Sequence, residues 1–590
     1  MPTPIVPLTR AVRLVTLTVP LIAGLTTCER TPTRPAEAWP AKLAISVQPS
    51  GAQAGAAISP SVAVAVQDSA GNLVTSPRLS IGLRITEGTG TPKAHLRGAT
   101  VAYTEDGVAT FPSLSIDSAG TGYTLTATAT TPVGAVTASF DIAAAPAARL
   151  AFGAPPTGTD AGTPITPAVQ VVVLDSLGNR VPAATSTVTI AIGDNPAGGS
   201  LSGTATVAAW GGAADFPDLR IDRSGRGYTL RAAAGGLAGA TSAEFGVYRP
   251  VGTVSAGWYH ACAIAAGGAG FCWGANWYGQ LGTASPDSSL VPAPVAGGLT
   301  FASISAGPLH TCGVTTGGAA YCWGANWYGQ IGRGTKGGNS APSAVAGGLT
   351  FAAVSAGYGH TCGITPAGAA YCWGDNSYGQ LGTGSTDSSL VPAPVAGGLI
   401  FASVSAAADH TCGVTTTRAA YCWGINYVGQ LGSGSSVNST APVSVTGGLL
   451  FAAIDAGWNQ TCGITTGGVA YCWGDNAHGE LGYGSIASTV TPLAVVGGIG
   501  VEAISAGMEL TCALMTGGAA YCWGYDGVAV SRPIPAPIGG GLAFATISSG
   551  GATCGVSTTG GAYCWGSGSS GRLGDGTGAN HPIPTRVSLF

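Results

Sequence analysis

The amino-acid sequence predicts an all-β protein: two tandem sandwich domains followed by a ring of short, repeated, disulfide-pinned sheets. Cysteines recur on a fixed ruler. The first of each pair stands at Cys262, Cys312, Cys362, Cys412, Cys462, Cys512 and Cys554, and the second ten positions later, at Cys272, Cys322, Cys372, Cys422, Cys472, Cys522 and Cys564. A fixed period of this size marks a solenoid or propeller, whose units bury their apolar faces only by stacking on neighbours. Composition agrees: the 590 residues include 97 glycines and only 8% charged residues, at a net charge of -4, and such a chain disfavours helix. Three lysines, Lys42, Lys93 and Lys336, offer no basic stripe for phosphates, which argues against nucleic-acid binding.

Residues 1–27 read as an export signal. Arg10 and Arg13 precede an apolar run from Leu14 to Leu25, too short to span a bilayer. Seven pairs taken from 15 cysteines leave Cys28, and Leu25-Thr26-Thr27-Cys28 resembles the lipobox of bacterial lipoproteins, with Thr27 where a small residue is usual. The resemblance implies lipidation at Cys28; the alternative is cleavage after Ala38 with Cys28 discarded. Residues 28–40, with three prolines between Glu29 and Pro40, read as a tether.

Residues 41–145 and 146–248 are two copies of one domain. VAVQDSAGNLV from Val64 returns as VVVLDSLGNRV from Val171, and GVATFPSLSIDSAGTGYTLTATA from Gly107 returns as GAADFPDLRIDRSGRGYTLRAAA from Gly212. Alternating strands, D-x-x-G-N turns and Gly-Tyr-Thr-Leu before the last strands resemble bacterial immunoglobulin-like modules. That family implies a spacer or adhesive stalk.

Residues 249–590 carry the repeats. Val314 and Ala320 lie symmetrically inside Cys312 and Cys322 around Thr316, Gly317 and Gly318, which predicts a hairpin with opposed cysteines close enough for a disulfide. Zinc is disfavoured, because its thiolate ligands usually come two to four residues apart and converge four to an ion. FASISAG from Phe301 and its copies supply further strands, and four short strands in about 50 residues suit a propeller blade. At these residues AGxxHTCxxxxxGxxYCWGxNxxGQLG resembles the repeat of the regulator-of-chromosome-condensation propellers, which implies a seven-bladed β-propeller. The fold class is thus all-β, a seven-bladed propeller C-terminal to two tandem Ig-like β-sandwiches. Val251 to Gly257 opens the array in the register of FASISAG, so that strand is expected to complete the last blade. The sixth unit, from Tyr521 to Pro535, lacks NxxGQLG, and a trimmed loop is expected there.

No catalytic residue, metal site or cofactor is indicated. His260, His310, His360 and His410 are equivalent, but such residues on neighbouring blades stand too far apart to share an ion, and they read as structural hydrogen-bonding groups. Gly332 to Gly337 satisfies G-x-G-x-x-G without the strand-to-helix context of a phosphate loop. Asn326, Asn376 and Asn476 read as turn-formers.

Binding is read from positions where the repeat varies. The pairs after each AG include Trp258, Tyr259, Tyr358, Trp458 and Asn459; those after WGxN include Trp277, Tyr278, Trp327, Tyr328 and Tyr378. Each set is expected to form a ring on one face, and rings rich in Trp and Tyr suit recognition. The favoured function is an exported, lipid-anchored, monomeric, non-catalytic binder of a protein or glycan at the cell envelope. The membrane is reached through the lipid alone. The rival is a regulatory propeller resembling the family's guanine-nucleotide exchange factors.

Overall fold

The computed structural model describes residues 39–131, 133–528 and 531–588, and Cys28 and the expected export segment lie outside the described residues. Strands dominate; the one helical element among the described residues is a 3-10 turn at Ser569–Gly571. One compact unit ends at Ala145 and another begins at Pro146.

In the first unit, Lys42–Val47, Val62–Gln67 and Val108–Phe111 form a three-stranded sheet, while Ser80–Ile85 runs between Leu125–Thr128 and Val101–Tyr103 in a second. Val62, Val64 and Val66 meet Ile81, Leu125 and Phe111 in the core. The D-x-x-G-N turn works as its residues require: Asp68 accepts the main-chain N–H groups of Ala70 and Asn72 at 2.9 and 2.8 Å. Gly71 takes φ +93° there, a backbone conformation costly for any residue with a Cβ. In Gly-Tyr-Thr-Leu, the buried Tyr123 donates its hydroxyl to the carbonyl of Ser118 at 2.9 Å.

The next domain repeats this plan. Arg149–Ala154, Val169–Leu174 and Ala213–Phe216 pair, as do Thr206–Ala208, Thr187–Ile192 and Leu230–Ala233. Asp175 and Tyr228 repeat the roles of Asp68 and Tyr123, with Tyr228 donating to Arg223 at 2.9 Å. The domain meets the last repeat through Arg586, whose guanidinium pairs with Asp160 and lies 3.7 Å from the centre of the Tyr248 ring.

From Val251 to Arg586 the described chain forms seven four-stranded antiparallel sheets, each continuous in sequence. In one of them the order is Phe301–Ala306, His310–Thr315, Ala320–Gly324 and Asn339–Ala344. Cys312 lies directly opposite Cys322, at a Cα separation of 4.1 Å, and the two are bonded. The other six pairs repeat this, with Cα separations of 4.0 to 4.1 Å.

The expected strand exchange at the closure does not occur. Val251–Ala256 pairs with His260–Ala265 of its own sheet, and the last sheet draws all four strands from residues 544–586. The sequence repeat and the sheet share one phase, with the inner strand first. Closure rests on side chains reaching between sheets. The main-chain N–H of Ala306 donates to Ser255 Oγ at 2.9 Å, and the relay continues through Ser305, Ser355, Ser405, Asp455 and Ser505 to Ser548, which accepts from Ala256 of the first sheet. Asp455 also accepts the hydroxyls of Ser405 and Ser505, while burial holds its carboxyl above the ordinary range.

Between sheets, each buried tryptophan of the YCWG motif packs against the preceding unit. Trp323 Nε1 donates to the carbonyl of Gln280 at 2.9 Å, and Trp273 closes the ring on the carbonyl of Arg572 at the same distance. The last glycine of GQLG is dictated by this contact: Gly282 has φ +69°, and a Cβ there would lie 2.6 Å from Trp323 Nε1. Leu281 fills the slot between the Cys262–Cys272 pair and Trp323.

Candidate binding face

A four-stranded meander sends its first and third connections to the same end. The loop before His260 and the loop after Gly274 therefore emerge together, with Ala275 N donating to the Tyr259 carbonyl at 2.8 Å and Ala325 N to the Leu309 carbonyl at 2.9 Å. The two variable sets, read from sequence as separate rings, occupy one face.

The third connection is held open from within. Asn326 Nδ2 donates to the carbonyls of Thr335 and Gly337 at 2.7 and 3.1 Å, and its Oδ1 accepts from Ile331 N at 3.0 Å. Asn276, Asn376, Asn426 and Asn476 repeat this, so the asparagines are turn-formers, and Gly332 to Gly337 belongs to such a turn. Gln330 Oε1 accepts from Tyr328 N at 3.0 Å. A rigid loop thus carries each exposed aromatic.

Exposure sorts the candidate residues. Trp277 is 58% exposed, Trp327 44%, and Tyr278, Tyr328 and Tyr378 stand at similar or slightly lower values. Trp277 packs on Tyr259 with ring centres 5.3 Å apart, and Tyr278 meets Trp327 edge-on at 4.8 Å. Trp258 is different, being 8% exposed. It stacks on Trp458 at 3.9 Å, with Tyr358 at 5.7 Å. These three come from the first, fifth and third sheets, so the stack spans the ring axis and borders the axial cavity of about 130 Å³ that the serine relay lines. Trp258 is a plug, while Trp458 remains partly open beside Asn459.

Carboxylates occupy another sector of the face. Burial, with Asp375 beside it, pushes the Asp409 carboxyl up to about 6. Glu480, standing where earlier units have Gln, is held up by burial as well, and His478 lies 3.7 Å from Glu509 and stacks on Tyr525. Asp409 and Glu509 belong to the variable pairs after AG, but sequence reading did not single out Glu480 or Asp455; the signal available was substitution at a repeat position, Glu480 for Gln and Asp455 for Ser.

The equivalent histidines are buried and face the next sheet. His310 Nε2 lies 2.8 Å from Thr361 Oγ1, and Thr361 donates its hydroxyl to the Gln330 carbonyl at 2.8 Å. That hydroxyl proton being committed, His310 must donate through Nε2–H, and His260, His360 and His410 repeat the arrangement. Their role is to join sheets.

One tryptophan stands apart. Trp565 Nε1 has no hydrogen-bond partner among the described residues, although the side chain is 2% exposed. Trp323→Phe is expected to cost about 1 kcal/mol more than Trp565→Phe, because only the first loses a hydrogen bond. Chemical denaturation of the two variants measures the difference.

Residues 268–314, 317–364, 367–414, 467–514 and 559–590 match a family described as Regulator of chromosome condensation (RCC1) repeat, and a second description of that repeat matches 301–330, 351–380, 401–430 and 451–480. A search of curated proteins finds no match. Among solved structures the chain is similar to human WBSCR16, at 21% identity over 54% of this chain and 93% of that one, with a TM-score of 0.50. It is also similar to yeast RCC1 (Prp20), solved bound to Kap60, at 19% identity, over 51% of this chain and 78% of that one, with a TM-score of 0.46. A third is the ectodomain of the Physcomitrella patens receptor kinase CR4, at 24% identity, over 54% and 74% of the two chains, with a TM-score of 0.36. The buried cysteine pairs fit an extracytoplasmic location. The C-terminal part of this chain is therefore built of RCC1 repeats folded as an RCC1-like propeller.

Proposed function

We propose that the protein is a non-catalytic binder of the cell envelope, exported, monomeric and anchored by a lipid on Cys28, with a seven-bladed propeller carried on two Ig-like modules. Its ligand is a protein or a glycan. The observation that carries this reading is the convergence of both variable loop sets on one face, where Trp277, Tyr278, Trp327, Tyr328 and Tyr378 stand partly exposed on loops fixed by internal asparagines. Large aromatic side chains on rigid backbone give contact area at low entropic cost. The Ig-like assignment is supported by the repeated two-sheet plan and by the Tyr123 and Tyr228 hydroxyls, each bonded to a carbonyl a few residues upstream.

The test is retention of the labelled protein on envelope fragments of its own cells. Combined replacement of Trp277, Trp327 and Tyr378 by alanine is expected to lower retention at least tenfold while costing little thermal stability, since all three side chains are partly exposed on the face. Unaltered retention would remove this face from the proposal.

A further inference from the structure

Among the described residues, the ring shows six of seven possible inter-sheet locks. At six junctions the indole N–H of a buried tryptophan donates to a main-chain carbonyl of the preceding sheet's third connection, at Gln280, Gln330, Gln380, Gln430, Glu480 or Arg572, over 2.8 to 3.0 Å. At five of them a threonine hydroxyl, such as that of Thr511, donates to the same carbonyl. The residue after it, Leu or Ile, is fully buried between the disulfide and the indole.

Between the sixth and seventh sheets the sequence lacks that Gly-Gln-Leu-Gly segment. The connection runs only from Gly524 to Arg532, against Gly474 to Thr489 in the sheet before. Among the described residues Trp565 Nε1 has no acceptor. The Thr553 hydroxyl reaches only Ser549 Oγ at 3.3 Å and Cys512 Sγ at 3.6 Å, and Leu510 stands where four other units have histidine. Among the described residues, the apolar cluster at this junction contains no counterpart of Leu481. Beside this junction lies a cavity of about 180 Å³, bordered by Leu510, Tyr525, Thr553, Trp565 and Arg572. A desolvated donor without an acceptor is costly, so a ligand carbonyl there gains more than an ordinary hydrogen bond.

We propose that this notch binds a short turn of a partner polypeptide resembling the ring's own Gly-Gln-Leu-Gly. Its main-chain carbonyl accepts from Trp565 Nε1–H and the Thr553 hydroxyl, and its aliphatic side chain enters the cavity beside Leu510. The six filled junctions define the occupant, because they show which chemistry the same surroundings accept. This site is separate from the exposed aromatic residues of the proposed function.

The probe is an acetylated, amidated peptide copying Tyr378 to Thr383, titrated into the full chain labelled with ¹⁵N at tryptophan. The Trp565 indole resonance is assigned by its loss in Trp565→Phe. The expected result is a saturable shift of that resonance alone. Replacing residues 525–531 by residues 475–488 of the fifth sheet, which refills the notch, is expected to weaken the response at least tenfold with the other indole resonances in place. A Trp565 resonance unmoved at millimolar peptide, an equal shift with a scrambled peptide, or equal binding by the refilled chain would each overturn the proposal. The Trp277, Trp327 and Tyr378 alanine variant is expected to keep the full peptide response, so loss of either reading is seen independently of the other.

Discussion

Acidification from pH 7 to pH 5 is expected to destabilise the ring by several kcal/mol. Burial holds the pKa of His260, His310, His360 and His410 at about 3, against 6.5 for a free imidazole. Between those values the unfolded chain binds more protons than the folded one, so stability falls as pH falls. At pH 5 each histidine contributes a loss of about 2 kcal/mol, or roughly 8 kcal/mol for the four. Asp409, with its pKa raised to about 6, acts in the opposite sense and returns about 1 kcal/mol over the same interval. Asp160, Asp455 and Glu480, also raised, offset the loss further as protons bind. Urea denaturation at the two pH values measures the balance. The fifth sheet supplies the control, since Gln460 occupies the histidine position and donates to the Gly507 carbonyl at 3.0 Å. Replacing the four histidines by glutamine should flatten the pH dependence, and an unchanged slope would place its cause elsewhere.

Reduction is the second large effect. Each disulfide joins residues ten apart, and closing a loop of that length is worth roughly 3 kcal/mol in the chain-entropy account. Seven such closures sum to about 20 kcal/mol, more than the ~5–15 kcal/mol net stability of an ordinary domain. The reduced and alkylated chain is therefore expected not to refold, while the native chain resists reductant because its bonded cysteines are buried. Thermal melts with and without prior reduction in denaturant decide this. Transitions within a few degrees of each other would mean that packing between sheets suffices without the covalent pins.

What was legible in the sequence was local and periodic. The hairpin holding Cys312 and Cys322, the asparagine-braced turns and the duplicated D-x-x-G-N segments each depend on residues within about a dozen positions. The closure was misread because a periodic sequence has no intrinsic starting point. Only the pairing of Val251–Ala256 with its own sheet fixes where a unit begins. The single binding face followed from the alternation of ends in a meander and could have been read. The different fates of Trp258 and Trp277 could not. Both stand in short loops beside a tyrosine, yet loops from every sheet crowd together near the axis, where Trp258 meets Trp458, while the outer loops diverge into solvent.

A ring of near-identical sheets has a property that individual contacts do not reveal: rotation by one sheet brings it almost onto itself. A partner reading only the shared motif would find several equivalent angular settings and would be held in none of them preferentially. The shortened connection after Gly524 occurs once. It acts as a keyway, so any contact that includes Tyr525 or the Trp565 indole exists at a single angle around the axis. One deletion thus turns a rotationally degenerate surface into one with a defined heading, without altering the contacts that close the other six junctions.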